Sequence, residues 1–248
     1  MLASLPMYWR DENAAHWQDF WSVVQTSAQE HGLDLPDLLP PSALPENWST
    51  HWCDPELALS MACGLPLRTV LKDRVTYVGT LDFRLTARIG HYHSQIIASH
   101  AALPKAPRLA YNGPDSQSGW AVSQRAAPFD RPPEFSDYVE TGSHAASLAA
   151  VADERADIAY LDAVSWRLLA RFDPNAARVR IVGQTGQSPG LPLITAKGND
   201  PTPLRAALRQ ATGAFQTDDP MAMGGPMTFH VLDDSLYHAQ PLPAPPPA

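Results

Sequence analysis

Charge is scarce in this chain. Asp, Glu, Lys and Arg make up 18% of 248 residues, and the excess is acidic, with a formal net charge of −8. No long basic run occurs, so a nucleic-acid partner is not expected. The only cysteines are Cys53 and Cys63. Without a CxxC pair or a Cys/His cluster of zinc spacing, no structural metal is expected, and two buried free thiols are the default reading. A disulfide would need the intervening segment to bend back on itself. No apolar run approaches the length of a membrane span, so direct membrane insertion is excluded. The opening MLASLPMYWRDEN has neither the basic start nor the unbroken apolar stretch of an export signal. The location expected from that is cytoplasmic, with a periplasmic one as the alternative if the true start lies upstream. GxSxG, the P-loop and GxGxxG are all missing, as is any internal repeat.

What is present is a well-patterned globular chain with 44% apolar residues. Residues 2–9 read as a buried strand. Trp17, Phe20, Trp21, Val24 and Ala28 then follow the spacing of an amphipathic helix closed by Gly32. Asp54-Pro55-Glu56 reads as a helix start, with the helix running to Cys63-Gly64. Residues 75–83 and 89–99 read as strands. From there strand and helix alternate: 108–111, 116–127, 138–140, 144–153, 157–161, 163–171 and 178–183. That alternation implies an α/β fold with mixed, mainly parallel sheets flanked by helices. Residues 191–196 form another short strand and 203–215 a last helix, before an extended, mobile tail ending in PLPAPPPA.

The strands near 89–99 and 191–196 bracket the middle of the chain and read as a two-strand hinge. One lobe is then 1–94 plus 190–248 and the other 95–189, with a ligand between them.

Three chain segments carry helix-start chemistry. Strand 108–111 leads through Asn112-Gly113-Pro114-Asp115 into Ser116, Gln117, Ser118 and Gly119. Thr141-Gly142-Ser143-His144 opens the next helix. Strand 157–161 ends on Asp162, directly before Ala163. First-turn N–H groups have no intrahelical partner and sit at the positive end of the helix dipole, so they suit an oxyanion. Each segment also has a bland reading, namely a well-capped helix with no ligand. Gly119 would let a ligand approach the backbone closely. His144 can donate to an anion, the more strongly when protonated. Asp162 either caps its helix or holds an amine on the ligand, which would favour a zwitterion such as an aminophosphonate. Tyr8 and Trp9, ending the first strand, can wall the ligand. His91 and His93 share a strand face, but no third metal ligand is evident.

The ordered set Asn112…Ser116-x-Ser118-Gly119, Thr141-Gly142-Ser143-His144…Ser147, Ala156-Asp157…Asp162…Trp166 and Thr185…Ser188-Pro189-Gly190-Leu191-Pro192 resembles a known family. It is the phosphate/phosphite/phosphonate-binding family of ABC-transporter substrate-binding proteins, and the match covers residues 59–195. The resemblance implies the two-lobed type II periplasmic-binding-protein fold, hinge closure around the ligand and no catalysis. It implies a solute-binding protein for a small oxyanion, phosphonate- or phosphate-like, with an ABC permease as partner, no cofactor and a monomeric state. The serine-rich loop of Ser116, Gln117 and Ser118 would take the head group, together with Ser143 and His144, and Tyr92 would line the cleft. The alternative is a cytoplasmic enzyme or sensor on the same fold; Ser116 or Ser118 with His144 and Asp162 could be arranged as a triad.

Overall fold

In a computed structural model, described for every residue except Ala101, Ala127, Pro128, Asp130 and Ala248, the chain divides into two compact units. The first comprises Met1–His91 and Pro189–Ala239; the second comprises Tyr92–Ser188 and the residues from Gln240 onward. These boundaries differ from the expected 94/95 and 189/190. The larger difference is the tail, which groups with the second unit rather than the first. Its last residue, Ala248, lies outside the described residues.

The first unit is built on a six-stranded mixed sheet. Its order is Thr228–His230, Val75–Asp82, Pro192–Ala196, Leu57–Met61, Leu2–Ser4 and Leu38–Leu39. Leu2–Ser4 pairs parallel with both of its neighbours, whereas Pro192–Ala196 runs antiparallel to both of its own. The helix expected over 54–63 is a strand instead. Leu57–Met61 is buried at every position between two neighbouring strands, and that enclosure overrides the capping signal of Asp54. The first strand is also shorter than expected. Pro6, which has no N–H for the ladder, begins a 3-10 turn at Pro6–Tyr8. Ala14–Glu30 buries Trp17, Phe20, Trp21, Val24 and Ala28, as the spacing predicts, and packs against the helix Thr202–Ala214. Cys53 and Cys63 are free thiols.

The second unit holds a five-stranded sheet ordered Val179–Gln184, Ser94–Ser99, Ile158–Asp162, Arg108–Tyr111 and Asp137–Glu140. The last three run parallel; the first two enter antiparallel, so this sheet too is mixed, with parallel pairing confined to one side. The antiparallel strands are the ones next to the unit boundaries, where the chain enters or leaves instead of crossing over through a helix. Side chains alternate across the sheet. Ile96, Leu109, Tyr111, Ile158 and Tyr160 share one core with Trp120, while Ile97, Ala110, Ala159 and Leu161 share another with Leu148 and Val151. With both faces covered, Ile158–Asp162 is buried throughout, which explains the apolar run over 158–161.

Candidate functional site

The three parallel strands of the second unit end side by side. Tyr111 pairs with Glu140, and Ala110 with Ala159, so the chain leaves all three strands along one edge of the sheet. Beyond that edge lie Ser116–Ala121, the helix His144–Ala152 and the helix Ala163–Phe172. The carboxyl edge of parallel strands is where open α/β sheets bind ligands, because loops and helix starts converge there. Ser94 joins the same edge through its pairing with Asp162.

The first junction is not the α-helix that the sequence suggests. Gln117–Ala121 makes a wide π-type turn, with Ala121 N donating to Ser116 O at 2.9 Å and Val122 N to Gln117 O at 3.2 Å. The expected end of that helix, Ala127, lies outside the described residues. Ser116 Oγ caps the turn by accepting from Gly119 N at 2.9 Å. Gly119 has a different purpose from the one expected. The space a side chain would take is filled by the Asn112 carboxamide, so the glycine serves internal packing rather than ligand approach. Gln117 and Ser118 are buried, and Gln117 Nε2 reaches Ser188 Oγ at 3.3 Å.

At the second junction, Ser143 caps its helix by accepting from Ala146 N at 3.1 Å. Thr141 Oγ1 donates to Tyr111 O at 3.0 Å and lies 2.7 Å from Ser147 Oγ, tying this loop to the neighbouring strand. His144 Nε2 lies 2.8 Å from Ser118 Oγ, so the first two junctions are joined through one imidazole. The surface of His144 is partly exposed, but Nδ1 is enclosed without a hydrogen-bond partner. Burial pushes its pKa down to about 4, so the ring is neutral near pH 7. With no anion beside it, His144 is thus a poorer donor than the imidazolium would be.

At the third junction Asp162 is a helix cap. Its Oδ1 accepts from Val164 N at 2.7 Å and Ser165 N at 3.1 Å. The side chain is buried. Its own N–H points toward His144 Nε2 at 3.5 Å. A Ser118–His144–Asp162 triad would need the carboxylate on Nδ1, which has no partner. The arrangement thus has a serine and an imidazole in contact without the group that would orient the ring as a base.

Tyr8 and Trp9 belong to the first unit, where the Tyr8 ring is buried edge-on against Phe83 at 5.2 Å and Trp9 ends the 3-10 turn. Tyr92 is buried at the start of the second unit. Sequence reasoning gave Ser94 and Thr185 no part in the site. Ser94 Oγ donates to Ser118 O at 2.8 Å, and Ser94 N donates to Thr185 Oγ1 at 2.9 Å. They fix the serine turn from the antiparallel side, and only the strand register brings them there. Among the described residues, no three His, Cys, Asp or Glu side chains are grouped to hold a metal ion, and no helix is long and apolar enough to cross a membrane.

Residues 86–233, more than half of the chain, match the family described as ABC transporter, phosphonate, periplasmic substrate-binding protein. The chain belongs to this family. Its fold is the two-lobed type II periplasmic-binding-protein fold. A binding-protein component of an ABC phosphonate transporter from Pseudomonas aeruginosa is 15% identical, with a TM-score of 0.65 over 93% of this chain and 81% of that one. PhnD1 from Prochlorococcus marinus, solved in complex with methylphosphonate, is 12% identical with a TM-score of 0.68, covering 95% and 94% of the two chains. XAC2383 from Xanthomonas citri, bound to chloride ion, is 18% identical with a TM-score of 0.64, covering 96% and 93%. No curated protein matches the chain.

Proposed function

We propose that this family member binds a small phosphonate-like oxyanion at the carboxyl edge of the second unit's sheet and delivers it to an ABC permease. The observation that carries the reading is the contact between Ser118 Oγ and His144 Nε2 at 2.8 Å, which brings two junctions of that edge together. Ser116, Gln117, Ser118, Ser143 and His144 supply hydroxyl, amide and backbone donors there, and Tyr92 is a further candidate for the ligand's organic part. In the neutral ring a single proton serves either nitrogen. Asp162 N–H is directed at Nε2, so the ring proton is on Nδ1 and the Ser118 hydroxyl donates to Nε2 at 2.8 Å, a hydrogen that an arriving anion would take over. His144 is then a positioning residue for Ser118.

Hydroxyl and amide donors of this kind fit an oxyanion. The periplasm is the matching compartment, since the family works there. A non-catalytic role belongs to the same reading, because the family is one of substrate-binding proteins. Asp162 Oδ1 caps its helix, and a simple oxyanion is the reading that asks nothing further of this carboxylate. A thermal-shift series with phosphate, phosphite, methylphosphonate, 2-aminoethylphosphonate and a sulfonate tests the proposal. A phosphorus oxyanion at 100 times its Kd stabilises by about 2.7 kcal/mol and raises the Tm measurably. A rise with none of them, alongside a rise with another metabolite class, would overturn it.

A further inference from the structure

The C-terminal segment is docked against an aromatic face of the second unit. Trp120 is buried in that face, with Tyr111 at 5.0 Å and Tyr138 at 5.8 Å between ring centroids; Phe135 stands edge-on to Tyr138 at 5.8 Å. The Trp120 indole Nε1 donates to Ala244 O at 2.8 Å. Gln124 clasps the same residue from both sides: its Nε2 donates to Ala244 O at 3.0 Å, and its Oε1 accepts from Ala244 N at 2.9 Å. Arg125 Nη1 donates to Gln240 Oε1 at 2.9 Å, fixing where the segment begins. Pro245 and Pro247 lie with Ala244 along a cavity of about 250 Å³ that Trp120, Phe135, Tyr138, Pro132 and Pro133 also line.

These are the parts of a polyproline-binding groove. A segment such as PLPAPPPA is pre-set in the extended left-handed form, loses little entropy on docking and presents bare carbonyls. Aromatic grooves with a side-chain donor aimed at one such carbonyl recognise it. Here Ala244, which lies between two prolines and still carries an N–H, is held by three hydrogen bonds. The cavity beside the tail means that the groove is not filled by it.

We propose that this face of the second unit is a binding groove for extended proline-rich peptide, with the chain's own residues 240–247 as its resident occupant. The tail leaves the first unit after Ala239 and ends as a ligand of the second. It is a strap held by exchangeable contacts, independent of which solute the protein carries.

The test removes residues 240–248 and adds them back as the free peptide QPLPAPPPA, measured by calorimetry. The truncated protein should bind the peptide and should ignore an equally long peptide with alanine at every proline. With a trans Kd of about 100 µM and an effective local concentration of about 1 mM for the attached tail, the full chain should bind about tenfold more weakly. Gln124→Ala in the truncated protein should weaken binding about tenfold, through the loss of two hydrogen bonds. A folded truncated protein that does not bind, or that binds both peptides alike, overturns the proposal. So does equal binding by the full and truncated chains. Should truncation prevent folding, the full chain carrying Gln124→Ala is compared with the parent for cleavage of the tail by a prolyl endopeptidase. A rise of about tenfold supports the docked strap, and an unchanged rate contradicts it.

Discussion

Ser118 and His144 carry the account at the scale of single residues. Ser118→Ala removes one hydroxyl contact to a charged group, so oxyanion affinity should fall by roughly one to two decades, about 1.5–3 kcal/mol. Because His144 touches Ser118 at 2.8 Å, its effect should pass through that hydroxyl. His144→Ala should weaken binding in the parent and do little more in the Ser118→Ala background. Equal effects in both backgrounds would instead make His144 a direct contact. Protonation gives an independent check. The folded-state pKa of His144, about 4, lies below the ordinary 6.5. As pH falls from about 6.5 to 4 the unfolded chain takes up a proton that the folded chain refuses, so this residue lowers stability through that window and not above it. His144→Gln should flatten the fall of Tm between those pH values, and parallel profiles for parent and variant would contradict the buried neutral ring. His144 was legible as a helix-opening residue; its enclosure and its bond to Ser118 were not, since they join two segments far apart in sequence.

At the scale of elements, the junctions are held by caps and close approaches, and these have their own costs. Asp162→Ala leaves Val164 N and Ser165 N without their acceptor and should destabilise by about 0.5–2 kcal/mol in urea unfolding, while Asp162→Asn, itself a good cap, should lose much less. Gly119→Ala would place a methyl on the Asn112 carboxamide and should cost about 1–3 kcal/mol, recovered when Asn112→Ala is added. A Gly119→Ala protein as stable as the parent would show that the turn has slack. The cap residues Ser116, Ser143 and Asp162 were legible because N-cap chemistry is local. The element over 57–61 was not. Its helix-start signal is local too, but the strand is decided by two neighbours from distant parts of the chain, Leu2–Ser4 and Pro192–Ala196. The wide turn at Gln117–Ala121 was equally hidden, because its hydrogen-bond pattern follows from tertiary anchoring of Ser118 O by Ser94.

At the scale of the whole molecule, alternating strand and helix over 108–172 made the second unit readable, and the ordered motifs made the family readable in the sequence alone. The place of the tail was not legible, because proline-rich composition says nothing of what the segment lies against; the Trp120–Tyr138 face supplies that. The assignment of a phosphorus oxyanion to the serine edge of the second unit is the claim on which the rest depends. Isothermal titration of the parent and of Ser118→Ala with methylphosphonate, 2-aminoethylphosphonate, phosphite and phosphate tests it most directly. The account predicts one-to-one binding of at least one of these to the parent, weakened tenfold or more in a folded Ser118→Ala protein. Binding of none of them, or binding that Ser118→Ala leaves unchanged, would contradict it.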